Sequence, residues 1–184
     1  MQDHELIEAA ISGDEFALRR LHDLYVTQVF SYVYGQVASY HDAEEVLQDI
    51  FYKVAMKMNT FSGKSTFKTW VFSIARNTVL DYHRQAKKRN RSIATEEEKL
   101  RTLSPLTTSS EDEVILQDEI REALILMNEL PETYRTVLHL RVIEEFTVEE
   151  TAAIMKKSNF SVKALQRRAR KMLQEHMHQE VMDA

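Results

Sequence analysis

The sequence predicts an all-α protein built as two small helical domains, and three observations carry that prediction. Glycine and proline are scarce, three and two in 184 residues, which leaves little material for the tight turns of a strand-rich fold. Ala, Leu, Glu, Lys, Arg and Met, the good helix formers, abound. Apolar residues recur at helical spacing through most of the chain, and that period fails from about Asn90 to Asp112. This interval holds acidic and Ser/Thr clusters and Pro105, the composition of a linker. Domains are therefore expected at residues 1–89 and 113–184, joined by a flexible linker at 90–112 that spans roughly 25 Å on average.

In chain order, Leu6, Ala9 and Ala10 predict a short first helix, punctuated by Ser12, Gly13 and Asp14. Phe16, Leu21, Leu24, Tyr25, Val29 and Val33 are compatible with a long amphipathic second helix. A third is expected over residues 42–58, with Asp42 as N-cap and Glu45 at its N3 position. Ala43, Val46, Leu47, Ile50 and Val54 form its buried stripe. The far side shows Glu45, Gln48 and Tyr52, flanked by Glu44, Asp49 and Phe51. An acidic face with two exposed aromatics is odd for DNA and suits a basic, partly apolar protein partner; a merely solvated face is the plain alternative. A metal or acid–base site is disfavoured there, because His41 is the one histidine near at hand.

After a loop at residues 60–65, the residues Phe67, Trp70, Val71, Ile74, Thr78 and Tyr82 resume helical spacing. Lys68, Arg76, His83 and Arg84 project elsewhere. Rings interleaved with bases beside a polar loop are the parts needed to hold an unstacked nucleotide strand, although Trp70 itself is better read as core. Beyond the linker, residues 113–130 are expected to be helical through Val114, Ile120, Leu124 and Met127. Pro131 suits the first position of the next helix, which packs through Tyr134, Val137, Leu138, Leu140 and Val142.

Residues 147–173 are the most informative. Thr147 and Glu150 make a capping box, and Val148, Ala152 and Met155 give a narrow apolar face. Lys156, Lys157, Ser158 and Asn159 break the pattern, and Ser158 can cap a second helix. In that helix Val162, Leu165, Ala169, Met172 and Leu173 are buried, while Lys163, Arg167 and Lys171 point the opposite way, flanked by Arg168 and Arg170. Between Lys156 and Leu173 stand seven basic residues and no acidic one. A short helix, packed on one face and cationic on the other, suits a major groove, so helix-turn-helix is favoured over a solvated hairpin. His176 and His178 are expected in a frayed tail with no fixed metal geometry.

Composition removes several classes. There is no cysteine, hence no disulfide framework, thiolate chemistry or cysteine zinc site. The acidic N-terminus lacks the apolar core of a secretory signal, and no apolar run approaches a transmembrane span. A cytoplasmic protein without direct membrane insertion is expected. The net charge of −5 divides unevenly: residues 64–91 carry eight basic residues against Asp81, and residues 92–120 carry eight acidic ones against Lys99 and Arg101. That pattern indicates distributed contacts to nucleic acid.

The motifs DAEEVLQDIF (42–51), FSGKSTFKTWVFSIARNTVLDYHRQAKKR (61–89) and LPETYRTVLHLRVIEEFTVEETAAIMKKSNFSVKALQRRARKML (130–173) come in the order found in bacterial RNA polymerase sigma factors. The length resembles the extracytoplasmic-function (ECF) branch, which keeps only regions 2 and 4. The resemblance implies a promoter-specificity subunit that is not an enzyme and needs no cofactor. It implies that Glu45, Gln48, Asp49 and Phe51 bind core polymerase at the β′ clamp, and that residues 130–145 meet the β flap. Lys64, Lys68, Arg76, Asn77 and Arg84 match the part that melts and reads the −10 element. Ser161, Lys163, Arg167, Arg168, Arg170 and Lys171 match the −35 reader. Many relatives are held inactive by an anti-sigma factor, frequently membrane-anchored, and such a partner is expected. The chain departs from the family where Lys156 replaces a frequent turn glycine and where Phe160 and its successors replace Gly-Thr-Val-Lys-Ser-Arg. A stand-alone helix-turn-helix regulator competes, but it leaves the acidic face and the Trp70 region without a role.

Overall fold

The computed structural model describes residues 2–92 and 124–183, with side chains described for 4–89 and 124–176. Every regular element among them is helical. The N-terminal half holds α1 (Gln2–Ile11), α2 (Glu15–Tyr34), α3 (Tyr40–Lys57), a 3-10 turn (Met58–Thr60) and α4 (Phe67–Ser92). The C-terminal half holds α5 (Glu132–Leu138), a π-helical turn (His139–Ile143), α6 (Val148–Met155) and α7 (Asn159–Asp183). Val114, Ile120 and most of the expected linker lie outside the described residues, as does the side chain of His178. Helix α4 runs on to Ser92, three residues into the interval expected to be linker, and α7 remains helical where a frayed tail was expected.

Local chemistry sets most element ends. Asp14 caps α2 by accepting from the N–H groups of Phe16 and Ala17 at 2.8 and 3.3 Å. Leu21, Val29 and Val33 are buried as their spacing predicts, whereas Phe16 and Leu24 face outward. Helix α3 starts before the expected Asp42. Ser39, in extended backbone, is its N-cap; its hydroxyl accepts from Asp42 N at 3.1 Å and donates to the Asp42 carboxylate at 2.6 Å. Asp42 thus takes the third helical position, the acidic side of a capping box. Pro131 is likewise one place earlier than expected. It is the N-cap of α5, its carbonyl accepting from Tyr134 N and Arg135 N at 2.8 and 3.1 Å.

The π-helical turn corrects the expected packing of the next segment. Glu144 N donates to His139 O at 3.0 Å, a bond that spans five residues and widens the helix. The register slips, so that Val142 faces solvent while His139 and Leu140 are fully buried.

The two halves close on each other, with α4 against α6. Phe72 and Phe146 meet edge to face at 5.0 Å between centroids, and Tyr32 meets the His139 ring at 5.3 Å. Gly35, at the end of α2, leaves room for Leu124: a Cβ there would come within 2.6 Å of a Leu124 methyl. A side chain there would force Leu124 to shift.

Candidate nucleic-acid interface

The helix-turn-helix is built by its two caps and its turn. Thr147 N donates to the Glu150 carboxylate at 2.9 Å and Glu150 N donates to the Thr147 hydroxyl at 3.1 Å, the reciprocal box that the spacing predicts. Burial pushes the Glu150 carboxyl up, but hydrogen bonds from Thr147, Thr69 and the Lys68 charge outweigh it, and its pKa lies below the usual value. The chain then turns at Lys156, in left-handed backbone at φ 52° and ψ 49°. A glycine would sit there without strain. Ser158 caps α7 as expected, accepting from Ser161 N at 3.2 Å and donating to the Ser161 hydroxyl at 2.9 Å.

Val162 and Ala169 anchor α7 in the core. On its outer side Lys163, Gln166, Arg167, Arg170, Lys171 and Gln174 line a shallow groove of about 440 Å³. Four of the expected DNA-reading residues are therefore brought together. Ser161 is occupied in the cap, and Arg168 is exposed but stands outside the groove. Gln166 and Gln174 escaped the sequence reading, although the interval of three and four residues from Lys163, Arg167, Arg170 and Lys171 points to both. This lining supplies cations and amide donors, and no carboxylate or nucleophile. Its chemistry is to hold anions and base edges.

Of the five residues expected at an opened strand, four are spread around α4 and Lys64 lies in the loop before it. With about 100° per residue, Trp70, Ser73, Asn77 and Arg84 share one side, and Lys68 lies roughly 180° from Asn77. Trp70 packs on Phe61 and Phe67 with centroids 5.4 and 5.5 Å away, and it is half-buried where a core place was expected. Lys64 is exposed in the loop beside Gly63, which adopts φ 68°. Arg76 is half-buried, and Arg84 pairs with Asp81 at 2.9 Å on the surface.

Lys68 instead reaches the C-terminal half. Its ammonium lies 2.9 Å from the buried Glu144 carboxylate, donates to Glu144 O at 3.2 Å and sits over the Phe146 ring at 4.9 Å. Beside it Thr69 donates to Glu150 at 3.2 Å. Burial would raise the Glu144 pKa, but the neighbouring His139 ring and the Lys68 ammonium prevail and hold it below the ordinary value. His139 Nε2 is 3.5 Å from the same carboxylate, too long for a good hydrogen bond, and neither ring nitrogen has another partner. Burial dominates there and lowers the His139 pKa, so the imidazole is neutral.

The outward face of α3 carries Glu45, Gln48 and Asp49 exposed, with Glu45 3.4 Å from His41. The expected pair of exposed aromatics is corrected. Tyr52 is exposed, but Phe51 is half-buried because the His22 ring of α2 covers it at 4.5 Å between centroids. Phe51 walls an apolar cavity of about 420 Å³ with Leu18, Arg19, His22 and Phe67. The cavity joins α2 to the acidic face, and nothing in the periodicity of α3 could have revealed it.

The family model described as Sigma-70 region 2 matches residues 21–89, and that described as Sigma-70, region 4 matches residues 120–173. The ECF RNA polymerase sigma-E factor of Escherichia coli K12 is 32% identical over 160 residues, covering 84% of this chain and 83% of that protein. This chain belongs to the ECF sigma factors. They are non-catalytic transcription initiation factors. A second relative of this sigma factor is SigX of Bacillus subtilis, 29% identical over 179 residues and covering 92% of this chain and 89% of SigX. Among solved structures, the sigma factor RpoE of Bartonella quintana in complex with the anti-sigma factor NepR has a TM-score of 0.65 at 25% identity, covering 87% of this chain and 96% of that one. CnrH in complex with the cytosolic domain of CnrY has a TM-score of 0.71 at 20% identity, covering 97% and 98%, and supports the fold. The cations of the α7 groove lie in the region 4 match of this sigma factor, and Asn77 and the acidic face of α3 lie in its region 2 match.

Proposed function

We propose that this sigma factor binds core RNA polymerase through the outward face of α3, reads a −35 element with the groove of α7, and reads and helps open a −10 element with α4 and the loop before it. Residues 1–89 form the polymerase and −10 unit, 113–184 the −35 unit, and 90–112 the linker between them. The observation that carries this reading is the division of charge. Lys163, Arg167, Arg170 and Lys171 line one groove with no acid among them, while Glu45, Gln48 and Asp49 stand exposed on a separate acidic helix. A protein that touched only DNA would have no use for the second surface.

The chain has no catalytic task and needs no cofactor. It acts in the cytoplasm; among the described residues no helix is long and apolar enough to cross a membrane. Its partners are core polymerase at the β′ clamp and β flap, promoter DNA, and an anti-sigma factor. That last partner is supported by the NepR complex of the Bartonella protein.

Run-off transcription tests the reading. Purified core polymerase is given a genomic promoter pool with and without the protein, and new discrete start sites are expected. Glu45→Lys with Asp49→Lys removes them all, whereas Lys163→Ala with Arg167→Ala removes those that depend on a −35 element. A folded protein that adds no start site would overturn the proposal and leave the stand-alone regulator.

A further inference from the structure

Phe160 is the most exposed large hydrophobic residue among those described, at 82% of its full accessibility. It follows Asn159, the first residue of α7. Counting at about 100° per residue, Phe160, Lys163, Arg167, Lys171 and Gln174 fall on one side of the helix, at intervals of three and four. The last four line the basic groove, so the ring extends that stripe by one turn. Lys156 and Lys157 stand exposed just before it, and no acidic residue occurs between Lys156 and Leu173. Ser158 and Ser161 close the cap around it, so the backbone beneath the ring is fixed.

A bare phenyl ring among cations has no use for phosphate, which the lysines and arginines already serve. A basic surface also repels a basic protein partner. What a major groove offers to an apolar side chain is the C5-methyl group of thymine, the single apolar feature among the base edges. We propose that Phe160 is a specificity-determining residue that packs on a thymine methyl at one end of the −35 element. The inference rests on the proposed function, because it takes α7 to lie in the major groove. It assigns a base preference to a position where the family favours glycine and no side chain reads anything.

Removing the methyl alone tests this. Holoenzyme, assembled from core polymerase and the full chain, first selects its preferred −35 sequence from a randomised duplex. Each thymine of that element, on either strand, is then replaced by deoxyuridine, which leaves every hydrogen-bonding group in place. For the native protein, binding is expected to weaken about fourfold at one or two adjacent positions, the effect of losing one buried methyl. Phe160→Ala should bind thymine DNA weaker by a similar factor and show no further loss with uracil there. Phe160→Leu should retain part of the thymine preference. The ring is solvent-exposed, so these variants fold.

The proposal is overturned by a selected element with no A·T pair at either end, a native protein indifferent to uracil, or a uracil penalty that persists in Phe160→Ala. A uniform loss of binding in Phe160→Ala across all DNA sequences also overturns it and assigns the ring to the backbone or to a protein. Failure of the wider reading is distinguishable, since a holoenzyme that selects no sequence at all defeats the sigma assignment together with this contact.

Discussion

His139 is the side chain whose chemistry departs furthest from what its sequence position suggests. It is fully buried between Tyr32 of α2 and Glu144, with the Lys68 ammonium of α4 on the far side of that carboxylate. Its folded pKa lies below the ordinary 6.5, so the unfolded chain binds the proton first as pH falls. Stability is therefore present above about pH 6.5 and is lost from there down to the folded value, with a slope of at most about 1.4 kcal/mol per pH unit. Glu144 has a lowered pKa too, and its contribution persists until pH falls below about 4.5. Thermal unfolding between pH 7.5 and 5.5 should show a falling Tm in the native protein and a shallower fall in His139→Leu. A residual slope is expected from His83, which burial also lowers. Equal slopes in the two proteins would refute a neutral buried imidazole. None of this was legible in the sequence: a histidine in an apolar run shows neither its burial nor a partner on another element, and the π-helical turn that turns it inward breaks the period from which burial is read.

At the scale of the element, legibility follows the range of the interaction. The box of Thr147 and Glu150 was readable because cap and acid are three residues apart on one helix. Thr147→Ala should lower stability by about 1 kcal/mol, measured by urea unfolding, because the Glu150 N–H loses its acceptor and the Glu150 carboxylate loses the Thr147 hydroxyl. The start of α3 was misplaced, since Ser39 and Asp42 are both good caps and only the backbone entering the helix decides between them. The turn between α6 and α7 was recognisable by its polar run, yet its conformation was not. Lys156 holds a left-handed backbone that costs an L residue roughly 1–2 kcal/mol, part of which glycine returns as chain entropy in the unfolded state. Lys156→Gly should therefore stabilise by about 0.5–1 kcal/mol, raising Tm by a few degrees, and no change or a decrease would show that the lysine side chain compensates. The cationic stripe of α7 was legible from period alone, but the exclusion of Arg168 and the inclusion of Gln166 and Gln174 needed the groove itself.

Across the whole molecule, the two halves are joined by contacts that no sequence period records. Lys68 and Glu144 are 76 residues apart, and their pairing lies beyond any local signal. Lys68 was expected to face DNA, yet in this closed arrangement its charge is spent on Glu144 and the Phe146 ring. Thr69 is bound to Glu150 in the same seam. Opening the seam must expose Phe72, Phe146 and an ion pair whose Glu144 side chain is 4% exposed and whose Lys68 side chain is 27% exposed. Apolar burial resists that opening, while the pair is conditional, because either partner left alone is a poorly solvated charge. Glu144→Gln should consequently weaken closure by roughly 1–3 kcal/mol, below the full value for a buried pair because water already reaches Lys68. The natural chain contains no cysteine, so Asp23→Cys and Lys157→Cys, both at exposed positions, give a clean pair for two dyes. Energy transfer should fall when Glu144→Gln is added, with helicity by circular dichroism unchanged, because the halves separate without unfolding. Raising salt from 0.1 to 1 M should change transfer little in the parent, since a pair shielded from solvent is weakly screened. Transfer that ignores Glu144→Gln would place closure wholly in the aromatic contacts, whereas a steep salt response in the parent would show that the pair is wet. The first outcome would release Lys68 from its assigned role in holding the halves together.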